Sequence, residues 1–305
     1  MKRSLTDYFV ILLKGIAMGA ADVVPGVSGG TIAFISGIYN ELIDSINQFN
    51  FSKLKMLRNE GFVTTFKAVN GYFLLSLFTG IGISVLSLAK LFKYLLETYP
   101  ILVWAFFFGL VLASIIFIAK QINKWTIFNV VLLIVGSAIA YYITIIPAMG
   151  SSNSSPIFLI FAGALAICAM ILPGISGAFI LLLLGAYKPA LDAIHNHNLK
   201  QISFLAIGAI IGLLSFAKVL KWLFEHYKNA TLAILTGFVI GSLNKIWPWK
   251  EVLNKVEING KTKILQERSI SPFGIEDNHL FIAILLALLG FSLIIILEKL
   301  GSQKD

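Results

Sequence analysis

Long apolar segments separated by short polar connections occupy almost the whole chain. Six of them have the length and composition of membrane-spanning helices, which need about 20 apolar residues. The sequence predicts these helices at residues 71–97, 101–119, 126–147, 202–224, 230–247 and 280–297. Two further apolar segments, at residues 8–46 and 157–194, are interrupted near their middle by proline and glycine. The pattern therefore predicts an all-α integral membrane protein that contains two broken apolar segments.

The interruptions are two copies of one short motif, PGVSG at residues 25–29 and PGISG at residues 173–177. Within a membrane, backbone that leaves the helix persists only where it faces protein or a watery cavity, and paired breaks in two halves point to a transporter's binding site. The first charge after each motif comes about 12 residues later, roughly 18 Å of helix, which is about half of a ~30 Å hydrocarbon layer. We therefore expect two re-entrant hairpins whose tips, at residues 22–30 and 170–178, meet near the midplane.

The two halves of the chain are related by duplication. A shift of 148 residues aligns 25–46 with 173–194 and gives 9 identities in 22 positions; a shift of 128 aligns 80–115 with 208–243 and gives 14 in 36. The matching polar residues within apolar surroundings include Asp44/Asp192, Ser87/Ser215, Lys90/Lys218, Lys93/Lys221 and Glu97/Glu225. Composition alone does not explain such matches. Residues 1–150 are therefore predicted to form one repeat and residues 151–305 a second, each a helical hairpin followed by three transmembrane helices.

The number of crossings in each half decides how the repeats are oriented. A hairpin plus three helices crosses the membrane an odd number of times, so the second repeat is predicted to be inverted. Basic residues concentrate in the connections on one side, which predicts cytoplasmic amino and carboxyl termini. The connection at residues 249–278, with five basic and five acidic residues, is then expected to be an extramembrane loop on the outer side.

Composition limits the classes of protein that fit. Of the 305 residues, 58% are apolar and 13% are charged, and the mean hydropathy is +0.88. The net charge of +9 does not indicate nucleic-acid binding, because the basic residues lie mainly between apolar segments, where they orient loops. The single cysteine excludes an internal disulfide, and the histidines have no cysteine partners, so no metal site is expected.

The repeated motifs provide candidate substrate-binding residues. After each Pro-Gly break, Ser28 or Ser176 is placed to cap the next helix, whose first N–H groups lack helical partners and attract phosphate, phosphonate or carboxylate. The candidates are Pro25, Gly26, Ser28, Gly29, Gly30, Thr31, Pro173, Gly174, Ser176 and Gly177. The structural alternative is a tight tip at which glycines merely let helices pack closely.

Three charged residues complete the candidate site. Asp22 lies three residues before Pro25, with Met170 at its counterpart, and is either a proton or cation site at membrane depth or a second helix cap. Lys90 and Lys218 share a helix face with other repeated polar residues. They are either lysines that extend to the membrane interface or basic gates for a charged headgroup.

A resemblance to a known family rests on these motifs. The run KGIAMGAADVVPGVSGGT at residues 14–31, continued by Gly37, Ile38 and Tyr39, resembles the N-terminal signature of the bacterial polyprenyl-phosphate transporters. This family, PopT, was formerly a domain of unknown function, and residues 173–177 match its second motif. The resemblance implies a flippase that moves undecaprenyl phosphate across the bacterial cytoplasmic membrane, so that the carrier lipid is recycled for cell wall biogenesis.

Other functions remain open from the sequence alone. A small-anion secondary transporter would use the same tips. A membrane lipid phosphatase needs a nucleophile and an acid–base partner, yet no arginine or histidine lies deep within an apolar segment. A non-transporting assembly protein is the third alternative. No enzyme activity and no cofactor are expected, the coupling ion (proton or sodium) and the oligomeric state are undetermined, and the expected partners are a polyprenyl-phosphate lipid and membrane lipids.

Overall fold

The computed structural model describes residues 3–24, 27–146, 155–258, 261–274 and 278–302. The first half contains helices α1 (Leu5–Val23), α2 (Gly29–Ile35), α3 (Tyr39–Asn47), α4 (Phe51–Glu60), α5 (Phe62–Ala68), α6 (Gly71–Thr98), α7 (Pro100–Lys120) and α8 (Ile127–Ile145). The second half contains α9 (Pro156–Ile171), α10 (Gly177–Leu183), α11 (Tyr187–His195), α12 (Leu199–His226), α13 (Lys228–Ser242), strands β1 (Lys250–Ile258) and β2 (Lys261–Ser269), and α14 (Leu280–Ser302).

Four of the described helices, α6, α7, α8 and α12, are long and apolar enough to cross a membrane. The pair α10 and α11 is a fifth candidate, bent by 112° at the break between them, and α9 and Leu280–Ile296 are shorter apolar helices. The prediction of a multi-pass membrane protein is confirmed. The six predicted full-length spans are not, because α13 has only 15 residues and ends at Ser242, before the predicted end at residue 247.

The same order of helices occurs in both halves. The short helices α2 and α10 have seven residues each, α3 and α11 nine, and the long helices α6 and α12 have 28. In the turns before α3 and α11, Gly37 and Gly185 both have a φ of 73°, in the left-handed region that glycine tolerates. Helices α4 and α5 occupy the longer polar connection of the first half. The inverted orientation of the second repeat stays a prediction.

The first helical hairpin enters and leaves the bundle at the same end. The guanidinium of Arg3, just before α1, donates to the Glu41 carboxylate of α3 at 2.6 Å. The side-chain amide of Asn70, which precedes α6, donates to the same carboxylate at 2.7 Å. We name the end that carries these three residues the amino-terminal face.

The two halves form one bundle because their later helices exchange partners. α1 packs along α6 and α9 along α12, whereas α14 packs on α7 and α8 on α13. The repeated glycines Gly109 and Gly237 allow the last two approaches, since a Cβ there would collide with the carbonyl oxygens of Ala287 and Leu133 respectively. The largest buried apolar cluster accordingly draws residues from both halves.

The connection at residues 249–278 contains an antiparallel β-hairpin, so the expectation of an all-α chain is wrong at this position. β1 and β2 pair from Lys250 with Ser269 to Ile258 with Lys261. The base of the β-hairpin is anchored where Trp249 packs with Ala105 of α7 and Ala283 of α14. Because Ala105 lies near the start of α7, this is the far end of α6 from Asn70, and we name it the β-hairpin face.

Candidate functional site

The first tip, between α1 and α2, is held by two side-chain caps. The Ser28 hydroxyl accepts from the backbone N–H of Gly30 at 3.2 Å, which confirms the predicted cap. The Asp22 carboxylate accepts from the N–H of Gly29 at 2.7 Å. The protein's own oxygens therefore occupy the N–H groups of Gly29 and Gly30 that were predicted to hold an anion. Pro25 and Gly26 lie outside the described residues.

The two tips are in direct contact, as the duplication led us to expect. The buried Ser28 hydroxyl donates to the carbonyl oxygen of Leu172 at 3.1 Å. In the other direction, the backbone N–H of Gly174 donates to the hydroxyl oxygen of Thr31 at 3.0 Å. Pro173 lies between these two partners in the chain. The candidate residues of the two repeats therefore meet at one place, while their depth in the membrane stays a prediction.

The second tip is built differently. The Ser176 side chain makes no cap hydrogen bond at the start of α10, so the predicted second cap is wrong. Met170 replaces the carboxylate at the position equivalent to Asp22, and Gly177 packs against the carbonyl of Ala166. Ser176 instead lines a small cavity beside Gly174. Its volume of about 10 Å³ suits roughly one water, so a phosphate would require the cavity to widen.

Lys245 places a cation at this cavity, and the sequence analysis did not predict it as a site residue. It lines the cavity together with Thr144 and Phe179, and its Nζ lies 4.7 Å from the centroid of the Phe179 ring. Its Nζ also lies 3.4 Å from a carboxylate oxygen of Glu267 on β2. The signal was available, because Lys245 falls within the predicted apolar segment 230–247, and a lysine at such a position usually has a function.

A second lysine lies behind this cation at the β-hairpin face. Lys250 Nζ is 3.3 Å from the Glu267 carboxylate, 4.5 Å from the centroid of the Trp104 ring, and donates to the carbonyl oxygen of Lys245. Burial lowers the pKa of Lys250 from 10.5 to about 8, against the opposing attraction of Glu267. Burial also disfavours the Glu267 carboxylate, but Lys250 and Lys245 outweigh it and hold the pKa of Glu267 below its ordinary value.

A fluorescence titration is expected to report Lys250. Deprotonation near pH 8 removes the cation beside Trp104, so tryptophan emission should change with a midpoint near pH 8. Between pH about 8 and 10.5 the unfolded chain binds the proton that the folded chain has lost, so the contribution of Lys250 to stability rises with pH in this window. The transition should be absent in Lys250→Met, and a transition that persists there would assign the titration to another group.

Lys90 and Lys218, the two predicted gate lysines, are not brought to the tips. Both are exposed on the long helices α6 and α12. The serines one turn before them, Ser87 and Ser215, each donate to a carbonyl of their own helix at 2.6 Å. Lys218 lines a groove at the amino-terminal face instead.

The two roles considered for Asp22 predict different effects of substitution. Asp22→Leu leaves the buried Gly29 N–H without an acceptor, which should lower the free energy of unfolding by about 1–3 kcal/mol. Asp22→Asn retains an acceptor oxygen and should lower it by less. Denaturant unfolding of the detergent-solubilised variants measures the difference. Equal stability of Asp22→Leu and the wild type would contradict the cap seen in the structure.

Comparison with known proteins adds to this geometry. A family described as undecaprenyl phosphate translocase-like matches residues 18–264. A Vibrio cholerae protein named polyprenyl-phosphate transporter is 46% identical over 303 residues, covering 97% of this chain and 98% of the relative. A Staphylococcus aureus protein of the same name is 35% identical over 257 residues, covering 79% of this chain and 86% of the relative. The comparison with solved structures gave no match.

Proposed function

The chain belongs to the undecaprenyl phosphate translocase-like family, and on that premise we propose that it is a flippase for undecaprenyl phosphate. It carries this lipid across the bacterial cytoplasmic membrane so that the carrier returns for cell wall biogenesis. The two relatives described above, matched over 98% and 86% of their own length, are named transporters, which fits a protein without catalytic activity. The observation that carries the proposal is the contact between the two helical hairpin tips, with Lys245 beside the second tip.

The phosphate is held at the junction of the tips. On the second tip, the Ser176 hydroxyl and the Lys245 ammonium line one cavity and supply a donor and a cation, the pair that an anionic oxygen requires. On the first tip, residues 28–31 contribute once their present acceptors are displaced. Asp22 holds the N–H of Gly29 as a phosphate oxygen would, so release of Asp22 couples lipid binding to an ion or proton.

Movement of the lipid follows alternating access around the tips. At the amino-terminal face, α3 packs against α12 of the other half. Lys221 forms an ion pair with Asp44 at 2.7 Å, and the Asn47 amide donates to the carbonyl oxygen of Ala217 at 2.9 Å. The equivalent pair, α11 and α6, makes no comparable packing contact within the described residues. This difference between the two halves supports the proposal, because the end states of a transport cycle are expected to differ in which face holds such a contact.

The charge of the connections supports the orientation. With the amino-terminal face in the cytoplasm, Arg3, Lys53 and Lys120 lie on the positive inner side. The β-hairpin then lies outside, and the present state is closed towards the cytoplasm. Both termini are cytoplasmic in this arrangement.

Reconstituted liposomes test the proposal. We expect the wild type to move undecaprenyl phosphate between leaflets, and Ser28→Ala/Ser176→Ala to move it far more slowly although it folds. Lys228→Ala, which changes an exposed lysine outside the candidate site, should differ little from wild type. Release of inorganic phosphate would indicate a phosphatase instead. Absence of lipid movement under every ion gradient, from folded protein, would reject the flippase and leave a small-anion carrier to be tested.

A further inference from the structure

A large apolar groove lies at the amino-terminal face, away from the tips. Its cavity volume is about 1000 Å³, at the upper end of the ~300–1,000 Å³ typical of ligand pockets. Its walls come from the first turns of α6, from α12, and from the short helices α4 and α5. The apolar lining includes Phe51, Phe62, Phe66, Leu75, Phe78 and Leu214.

The groove is open to the surroundings of the bundle. Phe51 is 91% exposed, Phe62 68% and Phe78 56%, although all three are large aromatic side chains. The long helices α6 and α12 do not pack closely on each other within the described residues, and α4 and α5 also line the groove between them. Both long helices are apolar enough to cross a membrane, so apolar side chains left open between them are accessible to lipid, and an apolar chain can enter from the side.

Among the described residues that line the groove, two are lysines and none is acidic. Lys53 of α4 and Lys218 of α12 lie at its edge, and Lys218 is three residues before Lys221, which seals the amino-terminal face by its contact with Asp44. The combination of an apolar trough and a pair of cations is complementary to a lipid with a long tail and a compact, strongly anionic head.

The two short helices that line the groove occur in one half only. α4 and α5 have no counterpart in the second half, where the chain passes from α11 to α12 through a short turn. A groove that bound bilayer lipids in general would not require α4 and α5 beside only one of the two repeated long helices. A groove that is used in one step of a directional transport cycle would require them on one side only.

We propose that this groove holds the polyisoprenoid tail of polyprenyl phosphate at the amino-terminal face, with its phosphate facing Lys53 and Lys218. The assignment rests on the proposed function for the identity of the lipid. In this assignment Lys218 binds the phosphate at the groove and does not need to reach the tips. The tail stays in the groove while the headgroup passes between this edge and the tip site.

Photo-crosslinking tests the assignment. p-Benzoylphenylalanine is placed at Phe62 in the groove or, as a matched control, at Phe128, a phenylalanine of α8 with similar exposure of 63%. Liposomes containing radiolabelled undecaprenyl phosphate are irradiated with each variant. We expect label several-fold higher at residue 62 than at residue 128. Phe78 gives a second groove position if the variant at residue 62 fails to fold.

Competition and charge removal separate the groove from general lipid binding. Unlabelled undecaprenyl phosphate should remove the label, whereas excess phosphatidylglycerol should not. Lys53→Gln/Lys218→Gln should reduce labelling by undecaprenyl phosphate while labelling by the uncharged alcohol, undecaprenol, is unchanged. Equal label at residues 62 and 128, or full competition by phosphatidylglycerol, would overturn the proposal.

The outcome is independent of the transport test. Lipid movement by wild type without selective label at residues 62 or 78 rejects the groove and leaves the flippase standing. Selective, phosphate-dependent label without lipid movement retains the groove as a binding site and rejects the flippase.

Discussion

Cross-linking of residues 44 and 221 is expected to stop lipid translocation, and its reversal to restore it. In a Cys168→Ala background, Asp44→Cys and Lys221→Cys are bridged by a short, reducible bis-thiosulfonate reagent. The link joins α3 of one half to α12 of the other at the sealed face, so the protein cannot open there. The initial rate of undecaprenyl phosphate movement in liposomes, before and after reductant, measures the effect.

The expected loss greatly exceeds the effect of removing the ion pair alone. The Lys221 and Asp44 side chains are 36% and 53% exposed, and such pairs contribute at most about 1 kcal/mol. Asp44→Asn should therefore change the rate by less than about fivefold. Lys221→Cys/Glu225→Cys, linked by the same reagent within one helix, is the control for chemical modification. Full transport by the 44–221 cross-linked protein would show that this face does not open during the cycle.

Duplication extends this prediction to the opposite face. Asp44 and Lys221 correspond to Asp192 and Lys93, although the two correspondences come from different alignment shifts. The Lys93 side chain lies outside the described part of the structure. If the halves exchange conformations, Asp192→Cys and Lys93→Cys should become linked faster when the lipid is present. No acceleration by lipid would contradict the exchange.

Lys245→Met is expected to lower the rate of translocation by about 10- to 100-fold, since a hydrogen bond to a charged group contributes about 1.5–3 kcal/mol. The loss should be largest at low concentrations of undecaprenyl phosphate, because the lysine contributes to binding of the phosphate. Lys228→Met, at the other end of α13 and exposed, is the matched control and should retain the wild-type rate. A wild-type rate in Lys245→Met would remove this lysine from the phosphate site.

Glu267→Gln is expected to strengthen phosphate binding at Lys245, which is the opposite of the effect of Lys245→Met. The Glu267 carboxylate lies 3.4 Å from Lys245 Nζ, so at the proposed site it would compete with phosphate for that cation. Its neutralisation should lower the apparent KM for undecaprenyl phosphate. An unchanged KM would mean that the carboxylate and the lipid do not share Lys245.

The tips were predictable because their signal is local and repeated. Ser28 caps its helix as its motif indicates, and the contact between tips follows from two copies of that motif in one bundle. The failed cap at Ser176 was not predictable from the same motif, because Ser176 lines a cavity to which α8 and Lys245, beyond the end of α13, contribute. Two copies of a nearly identical motif thus differ through contacts that are distant in the chain.

Two other features, the β-hairpin and the position of Lys245, were not predicted from the sequence, for different reasons. The β-hairpin has a local signal, since the sequence Asn259-Gly260 is typical of a two-residue β-turn, but this connection was predicted only as an extramembrane loop. Lys245 was placed within the predicted apolar segment 230–247, whereas the helix in the structure ends at Ser242. Its role depends on Glu267 and Phe179, which lie 22 and 66 residues away along the chain. Hydropathy averages over a window and cannot detect such pairs.

The two repeats contribute different kinds of groups to the junction of the tips. The first tip contributes the side chains of Ser28 and Thr31, whereas the second contributes main-chain atoms of Leu172 and Gly174. Every residue type has a main-chain carbonyl, so a substitution of Leu172 keeps the acceptor of this junction, whereas loss of the hydroxyl at Ser28 or Thr31 removes one of its hydrogen bonds. Repeats of common origin therefore tolerate substitution differently at the place where they meet.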